Sequence, residues 1–216
     1  MKLNPTSLLA SGLSLLAVHS AQADLFASNP QGSWATVSIT RTLGTPFVLS
    51  NATASVTSLG FFDNNSDGLS EAHQVGIFGP GQTLLGMVTI QSGTNAPLHD
   101  GVRWAALATP ITLAPDTQYM LATTVQEDGD RINASNPWQV TFAPGFSLTQ
   151  SGFTEGFGGS ALVYPDLPTS GMFYGFGADF QMTMVPEPGT MTLLGLGLAA
   201  CCLGFLAAKP RPYPCK

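Results

Sequence analysis

Charge is scarce in this chain of 216 residues, in which Asp, Glu, Lys and Arg together make up 9%. An ordinary globular protein carries about 25% charged residues, so a charged coiled coil and charge-driven disorder are both disfavoured. Basic residues are the scarcer kind, with 7 Lys and Arg against 13 Asp and Glu. Binding to nucleic acid needs clustered basic side chains that replace the counterions of phosphates. The composition therefore argues against nucleic acid as a partner.

Cysteine is absent from residues 24 to 184, because all three cysteines, Cys201, Cys202 and Cys215, lie near the C-terminus. This absence excludes a disulfide framework from the region. The region has only two histidines, His73 and His99, without metal-motif spacing, and we expect both at surface or turn positions. No G-x-S-x-G, H-E-x-x-H or P-loop pattern occurs. We therefore expect that the protein is not an enzyme.

Residues 1–23 have the features of a secretory signal peptide. Lys2 gives a basic start, an apolar run extends from Leu8 to Val18, and Ala21-Gln22-Ala23 offers small residues to the peptidase. The run is shorter than the roughly 20 apolar residues that cross a bilayer. We expect cleavage before Asp24 and export of the following region, residues 24–184, across the inner membrane.

The C-terminal segment is apolar enough to span a membrane. Met191–Ala208 is 18 residues without charge, and Lys209, Arg211 and Lys216 follow it. Basic residues after a span place the C-terminus in the cytoplasm. The sequence therefore predicts a transmembrane helix over about residues 190–208 that anchors the chain.

Val185, Pro186, Glu187 and Pro188 form a distinctive motif just before this span. Proline fixes φ and biases the preceding residue toward extended backbone, so the motif is expected to be accessible to a protease. Together with the Gly/Leu-rich span and the basic end, residues 185–216 resemble the PEP-CTERM sorting signal of Gram-negative bacteria. That resemblance implies recognition of the motif by an exosortase, a membrane cysteine protease-transpeptidase. It also implies removal of the tail and delivery to the cell surface or an extracellular polymer matrix.

The exported region, Asp24 to Met184, lacks helical periodicity and contains short alternating or β-branched runs separated by Gly, Pro, Asn and Asp. This pattern predicts an all-β domain, an antiparallel β-sandwich or jelly roll. Gly79-Pro80-Gly81 predicts a tight hairpin, and the turn before Tyr119 is similar to a tyrosine corner. The predicted strands are Trp34–Thr40, Phe47–Ser50, Ser55–Phe62, His73–Phe78, Thr83–Ile90, Arg103–Ala108, Tyr119–Val125, Trp138–Phe142, Ala161–Tyr164 and Met172–Met182.

Several segments of this region are together similar to a bacterial β-sandwich domain of unknown function that occurs upstream of PEP-CTERM tails. The resemblance covers roughly residues 35–125 and implies no activity. The segments that carry it are Ser58–Asp63, Asp67–Glu71, His73–Phe78, Leu84-Leu85 and Leu113–Tyr119.

Asp63-Asn64-Asn65-Ser66-Asp67-Gly68 matches the first half of a calcium loop. Calcium takes six to eight oxygen ligands, and Glu71 adds a nearby carboxylate. The twelfth loop position is Gln74, so the bidentate Glu of an EF-hand is missing. An Asx-rich turn is the alternative interpretation. The candidate calcium ligands are Asp63, Asn65, Asp67 and Glu71.

A second acid cluster, Glu127-Asp128-Gly129-Asp130-Arg131, falls between two predicted strands. It offers ligands for another ion or a partner for Arg131, but such charged clusters are more often solvated loops. We expect a solvated loop here.

Three functions are open for the exported region. The first is a structural or interaction protein of the surface or matrix. The second is a carbohydrate-binding module that grips extracellular polysaccharide through aromatic rings, for which core packing is the competing explanation. The third is a secreted hydrolase with paired carboxylates. The aromatic candidates are Trp34, Trp104, Trp138, Tyr164, Phe173, Tyr174 and Phe176.

Overall fold

The computed structural model describes residues 24–31, 33–50, 52–127, 129–133, 139–149, 154–168 and 177–185. Within these residues the fold is all-β, as predicted, with sixteen strands and a short 3-10 turn at Pro80–Gln82. The strands are β1 (Asp24–Leu25), β2 (Ala27–Gln31), β3 (Trp34–Ala35), β4 (Arg41–Leu49), β5 (Thr53–Phe62), β6 (His73–Phe78), β7 (Leu84–Ile90), β8 (Leu98–His99), β9 (Val102–Leu113), β10 (Gln118–Val125), β11 (Ile132–Asn133), β12 (Gln139–Phe142), β13 (Phe146–Leu148), β14 (Thr154–Gly156), β15 (Leu167–Pro168) and β16 (Ala178–Val185).

The predicted signal peptide and the predicted transmembrane helix lie outside the described residues. In the part of the chain that the structure describes, no helix has the length and hydrophobicity that a bilayer crossing requires.

Two antiparallel sheets form the sandwich that the strand pattern predicts. The first sheet has the strand order β1-β16-β5-β9-β8, and the second has the order β15-β14-β4-β10-β6-β7, with β13 also beside β4. Two small ribbons, β3 with β11 and β2 with β12, complete the described pairings. Hairpin β6–β7 turns at Pro80–Gln82, which confirms the predicted tight turn.

Aromatic rings from both sheets meet in the core between them. Phe180 of β16 stacks on Phe26, with 4.6 Å between ring centroids. Phe47 of β4, in the second sheet, lies 5.5 Å from the Phe180 ring. All three side chains are fully buried. Burial of large apolar area on the inner faces is the main force that holds the two sheets together.

Tyr119 fixes the turn between β9 and β10. Its hydroxyl accepts a 2.8 Å hydrogen bond from the backbone N–H of Ala114, five residues upstream. Its ring packs 5.7 Å from that of Phe47. The predicted tyrosine corner is confirmed, and the phenol has a structural role.

The strand predicted over Trp34–Thr40 is wrong beyond Ala35, because the next strand begins only at Arg41. That strand, β4, then passes through Pro46, a residue that sequence patterns place at strand edges. The fold tolerates Pro46 in a gap, since on one side of β4 the pairing with β14 stops at Gly44 and the pairing with β13 starts at Phe47.

The strand predicted over Ala161–Tyr164 is also wrong, and this segment is a loop. Side chains of the second sheet take the place of a partner strand. The N–H of Leu162 donates to Gln74 Oε1 at 2.8 Å, and the N–H of Val163 donates to Thr42 Oγ1 at 3.2 Å. The N–H groups of Leu162 and Val163 therefore have acceptors although the segment joins no ladder.

A β-bulge in β5 changes which side chains face the core near the end of this strand, where the β5–β6 loop begins. Ala54 and Val56 are buried before the bulge, and Leu59 and Phe61 are buried after it. The register with β9 shifts between Val56 and Ser58, so the inward face changes from even to odd positions. As a result, Phe61 faces the core beside the loop that follows β5.

Candidate functional site

A cleft of about 370 Å³ opens where the β5–β6 loop meets the β10–β11 loop. Its polar wall includes Asp63, Asn65 and Asp67 from the first loop and Asp130 and Arg131 from the second. The two acid clusters of the sequence, about 60 residues apart along the chain, therefore share one cleft. Their proximity is the starting point for the chemistry of this region.

Asp63 is buried and its carboxylate is already paired. Asp63 Oδ2 accepts hydrogen bonds from Arg103 Nε at 2.9 Å and from the backbone N–H of Gly68 at 3.0 Å. Arg103 Nη1 also donates to the carbonyl oxygens of Thr94 and Ala96, both at 3.0 Å. The guanidinium supplies the positive charge that balances this carboxylate.

The other candidate calcium ligands lie in different surroundings. Asn65 and Asp67 are exposed, and Glu71 turns away toward the β10–β11 loop. Gly68 has φ of 109°, which only glycine adopts readily, and its N–H closes the turn on Asp63. These contacts are those of an Asx-rich turn. Calcium binding by Asp63, Asn65, Asp67 and Glu71 stays a prediction.

His73 is fully buried at the start of β6, so the expected surface or turn position is wrong. Its ring stacks on Phe61 with 3.6 Å between centroids and 5° between planes. Side chains alternate between the two faces of a strand, and His73 shares its face of β6 with the buried Val75 and Ile77. The strand pattern therefore indicates that His73 is buried. His99, by contrast, is exposed beside Asp100 as expected.

Both ring nitrogens of His73 have polar neighbours. Nδ1 lies 2.7 Å from the carbonyl oxygen of Thr124 on β10. Nε2 lies 2.9 Å from Asp130 Oδ2 and 3.8 Å from Glu71 Oε1. The imidazole therefore connects the start of β6 with the β10–β11 loop.

The side chains of Asp130 and Glu71 each accept hydrogen bonds from the backbone of the other residue's loop. The Asp130 carboxylate accepts hydrogen bonds from the backbone N–H of Ser70, at 3.0 and 2.9 Å. The Glu71 carboxylate accepts one from the backbone N–H of Asp130 at 3.1 Å. A Cβ at Gly129 would overlap the Glu71 carboxylate, so this close approach needs glycine. The solvated loop predicted here is wrong at Asp130, and Asp128 lies outside the described residues.

Asp130 stays ionised because its partners outweigh its burial. Burial raises the pKa of Asp130, whereas the hydrogen bond from the His73 ring and the N–H groups of Ser70 and Glu71 lower it. The net pKa lies below the ordinary value of an aspartate. This carboxylate is therefore a charged acceptor across the neutral pH range.

Asp179 on β16 is a buried acid whose pKa is shifted in the opposite direction from that of Asp130. Its Oδ1 accepts hydrogen bonds from the backbone N–H groups of Ala27 at 3.1 Å and Phe180 at 2.7 Å. Within the described part of the chain, its Oδ2 has no hydrogen-bond partner. Complete burial raises the pKa of Asp179 well above its ordinary value, although these N–H groups act in the other direction.

Asp179→Asn is expected to remove a pH dependence of stability. With a folded pKa above the unfolded one, the stabilising contribution of Asp179 is complete below the unfolded pKa and is lost as pH rises toward the folded pKa. Asn is neutral at every pH and keeps the oxygen that accepts the two N–H groups. The variant should therefore melt above the wild type at pH 8, and the difference should narrow at pH 5. Thermal unfolding at both pH values measures this, with the exposed Asp166→Asn as a control; an unchanged pH dependence in Asp179→Asn would contradict the assignment.

The aromatic residues considered for sugar binding pack within the fold where they are described. Trp104 is buried, and its Nε1 donates to the carbonyl oxygen of His99 at 3.2 Å. Trp34 is half-buried against Phe62, and Tyr164 is half-buried against Phe78. The remaining candidates lie outside the described residues: Trp138, Phe173, Tyr174 and Phe176.

The fold and the tail together define a class, that of exported all-β proteins with a C-terminal sorting signal. A family model for the PEP-CTERM protein-sorting motif matches residues 185–209, as the resemblance implied. The motif indicates processing by an exosortase-like enzyme and a surface or extracellular destination. A second family model, described as a domain of unknown function (DUF4082), matches residues 27–169, more than half of the chain, and the protein belongs to this family. No curated protein matches the chain.

Proposed function

We propose that the exported region is a non-enzymatic domain with a structural or interaction role at the cell surface or in the extracellular matrix. The observation that carries this proposal is the junction between the sandwich and the sorting motif. Strand β16 pairs with β5 up to Val185, opposite Thr53, and the matched motif begins at Val185. A cut after Pro188 therefore removes no described strand, and the processed protein keeps its sandwich.

The ends of the chain complete the proposed route. A signal peptide over residues 1–23 directs export, and a transmembrane helix over about residues 190–208 holds the chain in the inner membrane until the motif is cut. Removal of the tail also removes all three cysteines. The mature domain then enters an oxidising environment without a thiol that could be oxidised or cross-linked.

The contacts of the buried titratable groups support a role without catalysis. Asp63 is neutralised by Arg103, and Asp179 is fully buried and accepts hydrogen bonds from backbone N–H groups. A glycoside hydrolase needs two carboxylates that flank a bound sugar in an open cleft. Both of these carboxylates are already held by hydrogen bonds within the protein, which favours a structural or interaction role over the hydrolase alternative.

Sorting should depend on the motif and not on the sandwich. We expect the triple variant Pro186→Ala, Glu187→Ala, Pro188→Ala to accumulate at full length in the inner membrane and to lose most of its surface and released fraction. The extended backbone that prolines impose is what a protease would recognise, and alanine relaxes it. Fractionation with an antibody against the sandwich measures the distribution.

A matched control is Thr190→Ala, which changes a residue of the tail just after the Pro186–Pro188 triplet. This variant should be distributed as the wild type is. Because residues 186–188 follow the last strand that the structure describes, the triple variant should also keep the melting temperature of the wild type. Wild-type sorting of the triple variant would overturn the proposed route.

A further inference from the structure

Three ligand-type atoms converge between the β5–β6 and β10–β11 loops. His73 Nε2, a Glu71 carboxylate oxygen and an Asp130 carboxylate oxygen all lie within 4.8 Å of one another. The nearest pair, His73 Nε2 and Asp130 Oδ2, is 2.9 Å apart. An ion with bonds of about 2.1 Å holds two ligand atoms at this separation when they subtend roughly a right angle.

The surroundings of the His73 ring fix which nitrogen faces the two carboxylates. Nδ1 faces the carbonyl oxygen of Thr124, which only accepts hydrogen bonds, so Nδ1 carries the hydrogen. Nε2 faces the oxygens of Asp130 and Glu71, and a bound ion takes the place of the hydrogen that Nε2 otherwise shares with Asp130. Metal-binding histidines commonly have this arrangement, with the second ring N–H donated to a backbone carbonyl.

The three groups are also held in place by contacts behind them. The His73 ring is stacked on Phe61, and backbone N–H groups of Ser70 and Glu71 hold the Asp130 carboxylate. The backbone N–H of Asp130 and the hydroxyl of Ser70 hold the Glu71 carboxylate. Pre-positioned ligands of this kind lower the cost of ordering a site when an ion binds.

We propose that Glu71, His73 and Asp130 form a binding site for a divalent transition-metal ion of the zinc type. One imidazole nitrogen and two carboxylate oxygens suit such an ion, whereas calcium prefers oxygen ligands alone. The two carboxylates balance the charge of the ion, and the cleft that Asp130 lines gives it a path from solvent. The bound ion fastens the two loops at one edge of the exported sandwich.

This site differs from the candidate calcium loop, although Glu71 belongs to both sets. Asp63 is paired with Arg103, and Asn65 and Asp67 are not among the three converging groups. The competing explanation for the convergence is a doubly protonated His73 that forms ion pairs with the two carboxylates. Zinc binding and its ligand dependence separate the two explanations.

The test is calorimetric titration of the purified full-length chain with ZnCl2, after treatment with a chelator. Cys201→Ser, Cys202→Ser and Cys215→Ser are included, because thiolates in the tail would otherwise bind zinc. We expect one saturable zinc site per chain and a raised melting temperature with zinc. Asp130→Asn and Glu71→Gln should each weaken zinc binding by about tenfold or more.

Two control variants test whether zinc binding depends on the proposed ligands and not on any nearby acid. Glu127→Gln changes an exposed acid within the β10–β11 loop, and Asp67→Asn changes an exposed acid of the cleft that Asp130 lines. Both should bind zinc as the parent does, and if Asp130→Asn fails to fold, Glu71→Gln carries the test. The proposal is overturned if the parent takes up no saturable zinc, or if both ligand variants bind zinc with the parent's affinity. It is equally overturned if only calcium binds and Asp67→Asn abolishes that binding.

Discussion

Replacing Arg103 with Met is expected to destabilise the fold by about 3–5 kcal/mol, the usual cost of removing one partner from a buried ion pair. Arg103 is almost fully buried, and its Nε donates to Asp63 Oδ2 at 2.9 Å. Its Nη1 donates to two backbone carbonyls of the β7–β8 connection. Met fills much of the same volume but leaves a buried carboxylate without its counter-charge and two carbonyls without this donor. Urea unfolding of the purified protein measures the change.

Two further variants show whether the ion pair itself is responsible. Arg131→Met removes an exposed arginine of the same cleft and should change the free energy of unfolding by no more than about 0.5 kcal/mol. Adding Asp63→Asn to Arg103→Met should restore part of the loss, because Asn is neutral and still accepts from Gly68. If Arg103→Met lowered the free energy of unfolding as little as Arg131→Met, the buried ion pair would not stabilise the fold by the expected amount.

Phe180→Ala is expected to cost about 3–5 kcal/mol, the range for removing a large aromatic side chain from a packed core. The Phe180 ring is fully buried and lies within 6 Å of three other rings, those of Phe26, Phe47 and Phe146. These rings come from both sheets, so the cavity would open at the contact that joins them. The loss combines transfer of the ring to water with the uncollapsed cavity.

Phe157→Ala is the matched control, since that ring is 57% exposed. It should leave the free energy of unfolding within about 0.5 kcal/mol of the wild type. Equal losses in the two variants would mean that the ring cluster around Phe180 does not hold the two sheets together.

Local patterns in the sequence predicted the strands β6 and β10 well. The strand His73–Phe78 was predicted with the bounds of β6, and the prediction Tyr119–Val125 differs from β10 by one residue. In each, apolar or β-branched residues form a short run between turn residues. The tyrosine corner also follows from local sequence, because its hydrogen bond spans only five residues.

Features that depend on distant segments were the ones the sequence did not predict. The strand predicted over Phe47–Ser50 begins instead at Arg41, and Pro46 within it lies in the gap between the two strands beside β4. His73 was expected at a surface or turn position, and the partner that shows otherwise, Asp130, lies 57 residues away in the sequence. Asp63 looked like a free calcium ligand because its neutralising arginine is 40 residues distant. Pairing of charges across loops has no periodicity that a single sequence displays.

The intact mass of the native protein in surface, medium and inner-membrane fractions tests the sorting route most directly. The route predicts a surface or medium species that begins near Asp24 and ends near Pro188, with the cysteine-containing tail absent. A protein that keeps its full C-terminal tail and stays in the inner membrane would contradict it.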